Sequence, residues 1–215
     1  MSFPGSPKLV KGGLVLLDPN DGKQRRVIDL QYNPDSVTRT LAPQGAGSDG
    51  GDHAEALRLK GPPVETIKLE AEIDATDKLE TEKDDVLQNG LAADLASLET
   101  VVYPDSADLE VNRALAFVGT IEILPVLSSL AIFVWSRNRV VPVRITEFSI
   151  VEEAFDVNLN PIRAKISLGM RVLSVNDLTY ESFGASVYLA YHKRKESLAG
   201  TRKGQLKSLG VDKIG

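Results

Sequence analysis

The sequence predicts a mainly β, α+β fold: a barrel or sandwich with one inserted helix and a helical, basic C-terminal extension. Two observations predict the strands. Every second residue is apolar from Ile162 to Val172 and again from Ile67 to Ile73, with polar or charged residues between. This alternation is typical of a sheet with one buried face. The helix is predicted by Leu87, Leu91, Leu95 and Leu98, which recur at helical spacing.

Composition narrows the class of protein. The chain has 215 residues, of which 42% are hydrophobic and 26% charged, as in one large soluble domain or one domain with extensions. The net charge of −5 argues against a general nucleic-acid binder. The absence of cysteine excludes a disulfide framework and a thiolate zinc site. No apolar signal-peptide core is evident near the N-terminus.

The first part of the chain reads as an arm, a hairpin and an edge strand. Residues 1–13 are predicted to be an N-terminal arm. Strands over Leu14–Leu17 and Arg25–Gln31 flank a turn that contains an Asp-Gly pair. Tyr32-Asn33-Pro34 ends the second strand, and an edge segment follows over Ser36–Leu41. A Gly-rich mobile loop is predicted over about 42–54.

The middle of the chain holds the predicted helix, over about 84–99. Asn89-Gly90 lies inside it and weakens the helical pattern. Tyr103–Arg113 is interpreted as a polar connector. Ala114–Trp135 imitates a membrane span but contains Glu122 and Pro125, which would be costly inside a bilayer. We interpret it as two short strands and expect no membrane insertion.

The last predicted strands form a three-stranded unit. Ala131–Trp135 leads through a polar turn into Val140–Glu152. The apolar residues predicted to face inward on this second strand change from odd-numbered to even-numbered positions. This change predicts a β-bulge near Thr146-Glu147. The turn Asp156–Pro161 joins it to the strand that ends at Val172.

These elements divide the chain into a β domain over 14–175 and a C-terminal extension over 176–215. Within the extension, Phe183–Leu198 is predicted to be a helix. From His192 to Gly215 the sequence has seven Lys or Arg and two acids, a net charge of +5, against −10 for the rest. Oppositely charged segments of this kind can pair between subunits.

The sequence offers no reactive centre. His53 and His192 have no Ser or acid constellation near them, whereas hydrolase chemistry needs a positioned base. Gly45–Gly51 lacks the Gly-Lys-Ser/Thr ending of a phosphate loop, and the acids of Asp74–Asp85 lack the spacing of a calcium loop. We predict no catalytic residue, cofactor or metal, and therefore no enzyme.

Ten residues are candidates for a subunit interface. Arg163, Lys165 and Arg171 form a cationic row on one strand, which is either an ordinary solvent face or a surface that faces other copies, as an interface or as the wall of a central channel. Tyr32 and Trp135 are either rim aromatics or contacts with a neighbour. The complete set is Tyr32, Asn33, Pro34, Trp135, Arg163, Lys165, Arg171, Lys193, Arg194 and Lys195.

Four segments resemble a known family. EEAFDVNLNPIRAKISLGMRVL (152–173) is similar to the closing motif of tube-type proteins of contractile injection systems, the tube-initiator and baseplate-hub subunits of phage-tail-like particles. IEILP (121–125), FVWSRNRVVPVRITEFSI (133–150) and IDLQYNPDSVTRT (28–40) fit the same pattern in the same order. The chain lacks the C-terminal LysM module of some members, so cell-wall binding is not implied.

The resemblance implies a non-enzymatic structural subunit with a barrel of the phage-tail tube type. Six copies would form a ring that joins the spike or hub to the inner tube and templates tube assembly. The implied partners are further copies, the inner tube protein, the spike or hub protein and baseplate wedge proteins. Assembly would occur in the cytoplasm, in a particle that can be released. A tube-terminating cap adaptor and a carbohydrate- or peptidoglycan-binding module remain as alternatives.

Overall fold

The computed structural model describes residues 10–19, 21–45, 57–76, 88–117, 128–202 and 204–214. They form a mainly β, α+β fold, as predicted. The strands are β1 (Gly13–Leu17), β2 (Gln24–Asp29), β3 (Val37–Ala42), β4 (Val64–Asp74), β5 (Leu130–Val134), β6 (Val140–Phe155) and β7 (Pro161–Val172). The helices are α1 (Ala92–Glu99), α2 (Ser106–Phe117) and α3 (Phe183–Gly200), and a 3₁₀-helix spans Leu206–Leu209.

All seven strands belong to one antiparallel sheet, in the order β2-β1-β5-β6-β7-β4-β3. Four strands separate β2 from β4 in this order. Even so, the side chain of Gln31, just beyond β2, exchanges two hydrogen bonds with the backbone of Asp74 at the end of β4, at 2.7 and 3.0 Å. The sheet therefore curls until these two strands meet at one end.

The core lies on one face of the curled sheet, and the predicted alternation in β4 and β7 is confirmed. Ile67 and Met170 are fully buried opposite each other, while Lys165 and Arg163 of β7 are exposed. Leu91, Leu95 and Leu98 from α1, and Tyr188 and Tyr191 from α3, join the same core cluster. Both helices therefore cover the buried face of the sheet.

The predicted bulge in β6 is confirmed. Ile145 pairs with Met170 and Glu147 pairs with Gly169, so Thr146 is the extra residue. A β-carbon at Gly169 would lie 2.9 Å from the Glu147 β-carbon, so the bulge and the glycine fit together. Because of this extra residue, the later apolar residues of β6, Phe148 and Ile150, also face the core.

The prediction of a single inserted helix is wrong. Within the described residues, α1 and α2 both lie between β4 and β5. Within the helix predicted over about 84–99, Gln88 and Asn89 are helical, Gly90 interrupts the helix with a left-handed backbone of φ +55°, and α1 follows from Ala92; residues 84–87 lie outside the described residues. The predicted connector Tyr103–Arg113 mostly belongs to α2, a stretch without Gly or Pro after Pro104, which permits a helix.

Of the two strands predicted over Ala114–Trp135, the second is confirmed as β5, and most of the first lies outside the described residues. Ala114–Phe117 ends α2, and only β5 is a strand in the described part of this stretch. Residues 118–127, and most of the predicted mobile loop and N-terminal arm (46–54 and 1–9), lie outside the described residues. No helix in the described ranges is both long and apolar enough to cross a membrane.

The predicted C-terminal helix is confirmed as α3. Ser182 caps its N-terminus, where the hydroxyl accepts a hydrogen bond of 3.2 Å from the Ala185 N–H. The buried residues Tyr188 and Tyr191 face the sheet. The helix thus shares the core of the β domain.

Candidate functional site

An outer groove of about 560 Å³ brings together four of the ten predicted interface residues, Tyr32, Asn33, Pro34 and Lys165. It lies on the polar face of β4, β6 and β7, where Glu70 and Glu72 also line it. Tyr32 is 45% exposed. The groove therefore combines an aromatic ring with charged and hydroxyl side chains.

Asn33 has a structural role within the chain. Its side-chain amide donates to the carbonyl of Val10, and its amide oxygen accepts from the Gly12 N–H, each at 2.9 Å. These two bonds attach the segment before β1 to the turn after β2. Asn33 therefore positions the edge of the outer groove.

Each member of the cationic row has an acidic partner in the same chain. Arg163 lies 2.9 Å from Asp74, Lys165 lies 3.0 Å from Glu153, and Arg171 lies 2.6 Å from Asp177. The hydrogen bond to Glu153 raises the pKa of Lys165. Each of these three positive charges on the outer face of the sheet is therefore balanced by a neighbouring carboxylate.

Trp135 lies at the margin of the core. Its ring stacks on Phe133, with 6.0 Å between the ring centroids. The backbone of Gly12 approaches the indole so closely that a β-carbon there would lie 2.4 Å from Trp135 Cε3. Trp135 is partly buried, and its packing partners lie within this chain.

The three consecutive basic residues of α3 lie in three different environments: Lys193, Arg194 and Lys195. Lys193 is exposed, and Arg194 donates a hydrogen bond of 3.1 Å to the side-chain oxygen of Asn138. Lys195 turns inward and lies 3.1 Å from Glu65. The triplet therefore does not present a continuous basic surface.

The inward turn of Lys195 completes a buried charge cluster that the sequence analysis missed. Glu65 of β4 is 2% exposed, and its carboxylate accepts hydrogen bonds from Arg39, Tyr191 and Lys195 at 2.8, 3.1 and 3.1 Å. Lys195 also lies over the Tyr191 ring, 4.1 Å from its centroid. The alternation of β4 could have predicted the burial of Glu65, because Glu65 lies on the same face of the strand as the alternate buried residues from Ile67 to Ile73.

The cluster shifts the pKa values of its members. Burial raises the pKa of Glu65, but the charges and hydrogen bonds of Lys195 and Arg39 outweigh it and hold that pKa below its ordinary value. Burial and the negative charge of Glu65 raise the pKa of Tyr191 to about 12. At neutral pH the cluster is therefore an ionised carboxylate between two cations and a neutral phenol.

The β6–β7 hairpin presents an apolar tip with a hydrogen-bonded turn, which the sequence analysis did not identify as a contact. Val157 and Leu159 are 99% and 80% exposed. The Asp156 carboxylate accepts from the Asn158 and Asn160 N–H groups at 2.7 and 2.8 Å, and Leu159 has a left-handed φ of +66°. An ordered tip with exposed aliphatic side chains has the character of a contact surface.

A second groove, of about 510 Å³, lies between β6 and the connection from α1 to α2. Val102, Ile145 and Phe148 contribute apolar surface, and Glu99 and Glu147 contribute carboxylates. Val102 is 46% exposed. Polar and apolar surface line this groove equally, and one of its carboxylates, Glu147, forms an ion pair with Lys68 at 2.7 Å.

Comparison with known proteins gives no assignment: neither a scan against protein-family models nor a search of curated proteins finds a match. Within the described ranges, no group of three or more His, Asp or Glu side chains is arranged to hold a metal ion. The candidate surfaces are thus the two grooves, the hairpin tip and the open edges of the sheet.

Proposed function

We propose that this protein is a non-enzymatic structural subunit in the baseplate of a contractile injection system. Copies of the chain form a ring, six-membered by the family resemblance, that joins the spike or hub to the inner tube. One face of the ring fits the hub, and the other templates the first layer of the tube. The particle assembles in the cytoplasm and can be released.

The hairpin tip is the observation that carries this proposal. The sequence that most resembles the tube-type family, residues 152–173, coincides with the end of β6, the turn and β7. This hairpin holds Val157 and Leu159 in ordered, exposed positions. Aliphatic side chains fixed in solvent gain free energy when a partner covers them. Contact with a neighbouring subunit or layer would supply that cover.

The sheet edges support a ring as well. In the described sheet, β2 and β3 each have one strand neighbour, so each leaves a row of backbone groups without a strand partner. Such edges pair with edges of other chains unless they are protected. In a ring of identical copies, the edge of one copy faces a different edge of the next copy. The partners proposed beyond the ring are the inner tube, the spike or hub and the wedge proteins, without nucleic acid or membrane insertion.

Electron microscopy of particles from a host that lacks the gene tests the proposal. We expect tube and sheath assembly to collapse, or free spike complexes to accumulate, and the wild-type gene to restore particles. Tubes of uncontrolled length on an intact baseplate would instead favour the tube-terminating adaptor. Full-length contractile particles with an intact baseplate would contradict the assembly role.

The outer groove favours one second candidate, a carbohydrate- or peptidoglycan-binding module. Its exposed Tyr32 ring, with Glu70, Glu72 and Lys165 beside it, offers the stacking surface and polar groups that a sugar needs. Pull-down with peptidoglycan fragments tests this candidate, with Tyr32→Ala as the variant and Tyr180→Ala, at a 78% exposed tyrosine, as the control. Loss of peptidoglycan binding in Tyr32→Ala, but not in Tyr180→Ala, would favour the binding module over the ring.

A further inference from the structure

The terminal segment, Gln205–Ile214, presents apolar side chains to solvent. Leu209 and Ile214 are 75% and 81% exposed, and Leu206 and Val211 are 40% and 42% exposed. Because a 3₁₀-helix has three residues per turn, Leu206 and Leu209 lie on the same side of it. The segment therefore carries a small apolar surface.

This apolar surface has a defined shape. Gly210, with φ +71°, ends the 3₁₀-helix, and its N–H donates a hydrogen bond of 3.1 Å to the Lys207 carbonyl. The Val211 N–H donates to the Leu206 carbonyl at 3.3 Å. No residue of this turn is buried. A turn that already has its bound shape loses less conformational entropy when it docks on a partner.

The second groove matches the terminal segment in chemistry. Val102, Ile145 and Phe148 offer apolar surface, and Glu99 offers a carboxylate, whereas Glu147 is already paired with Lys68 at 2.7 Å. The terminal segment combines its apolar residues with Lys207 and Lys213, against one acid, Asp212. The groove also has the volume of a typical binding pocket, which is about 300–1,000 Å³.

We propose that the terminal segment of one copy binds the second groove of a neighbouring copy. Within one chain the segment is exposed and does not line the groove, so both surfaces remain available to another molecule. This is a head-to-tail contact, which closes into a ring when the rotation between copies allows it. This inference rests on the proposed function, because the ring is what places two copies side by side.

The contact alone is weak, because the surface that a short segment covers is far below that of a stable dimer. Repetition around a ring strengthens it, since each copy is then held through more than one contact. The mixed apolar and charged character of both surfaces supplies register as well as affinity. The segment therefore acts as a strap between adjacent copies.

Cysteine cross-linking of the full chain tests this contact, since the natural sequence has no cysteine to interfere. We expect a mixture of Leu209→Cys and Val102→Cys chains to form a disulfide-linked dimer at least fivefold more than a control mixture. The control combines Leu209→Cys with Leu57→Cys, at a 95% exposed site outside the groove. Yields equal to the control would overturn the proposal.

Two further measurements make the result specific. Lys207→Glu should lower the cross-linked fraction, and Glu99→Lys in the partner chain should restore it. A chain with both cysteines that forms only an internal disulfide, independent of concentration, would show that the segment binds its own groove and would overturn the proposal. If no cross-link forms but particle assembly still requires the gene, the contact between copies is wrong and the proposed baseplate function stands. If specific cross-links form but particles assemble without the gene, the baseplate function is wrong and the contact between copies stands.

Discussion

Lys195 donates a hydrogen bond of 3.1 Å to the carboxylate of Glu65, a residue 130 positions earlier in the chain. The bond attaches α3 to β4, and Arg39 brings β3 to the same carboxylate. Two consecutive, paired strands and a helix far along the chain therefore meet at one buried charge. We expect that charge to help hold the C-terminal helix, together with the packing of Tyr188 and Tyr191, because removal of one buried partner leaves the others without compensation.

Glu65→Gln should destabilise the fold by about 3 kcal/mol, the lower end for a broken buried ion pair, because Arg39 and Lys195 remain partly accessible to water. Urea unfolding followed by circular dichroism measures the change. Asp29→Asn serves as the control, because it breaks an exposed pair with Lys11 and should cost less than about 1 kcal/mol. Equal losses in both variants would show that the buried cluster does not hold α3.

The same carboxylate should make stability depend on acid pH. Because the folded pKa of Glu65 is below its ordinary value of about 4.3, its contribution is complete above that pH and is lost as pH falls through the folded pKa. The difference in unfolding free energy between the wild type and Glu65→Gln should therefore shrink below about pH 4.3. Urea unfolding at a series of pH values tests this, and a difference that stays constant down to pH 2.5 would contradict it.

Gly90→Ala should destabilise the protein by about 2 kcal/mol. A side chain at φ +55° costs roughly 1–2 kcal/mol, and a β-carbon there would lie 2.5 Å from the Pro161 carbonyl oxygen. That oxygen accepts the Leu91 N–H at 2.9 Å, so the clash also disturbs the start of α1. Thermal unfolding measures the loss. Gly45→Ala is the matched control, since nothing lies within 4 Å of its β-carbon position, and a lower Tm for Gly45→Ala than for Gly90→Ala would refute the argument.

Val157→Asp should leave the fold intact but prevent assembly. The side chain is 99% exposed, so the unfolding free energy should change by less than about 0.5 kcal/mol. In the proposed ring the same residue lies in a contact, where a carboxylate would be buried without a partner. Electron microscopy of particles from cells with this variant is the measurement. Leu59→Asp, at another exposed aliphatic residue, is the control, and normal particles with Val157→Asp would remove the tip from the interface.

The sequence alone predicted most strands because a sheet with one buried face imposes a period of two on its residues. Ile162–Val172 and Ile67–Ile73 follow that period, and the change of parity in β6 predicted a bulge near Thr146-Glu147, where the structure has Thr146 as the extra residue. The helix α2 was missed because its apolar residues are exposed, so burial imposed no clear helical stripe on its sequence.

The candidate surfaces needed the tertiary structure. Proximity in the chain says nothing of which residues meet across a curled sheet, and the outer groove gathers Tyr32 and Lys165 from separate strands and turns. The exposure of Val157 depends on how far the hairpin extends beyond its neighbours.

What the sequence by itself determined is therefore local: the alternation in β4 and β7, the turns, the bulge and the C-terminal helix. These follow from backbone geometry and from the side of each element that water reaches. Only the tertiary structure decided that Lys195 turns inward to Glu65 while Lys193 stays in solvent, because residues two positions apart on a helix point about 200° apart and packing selects which of them is buried.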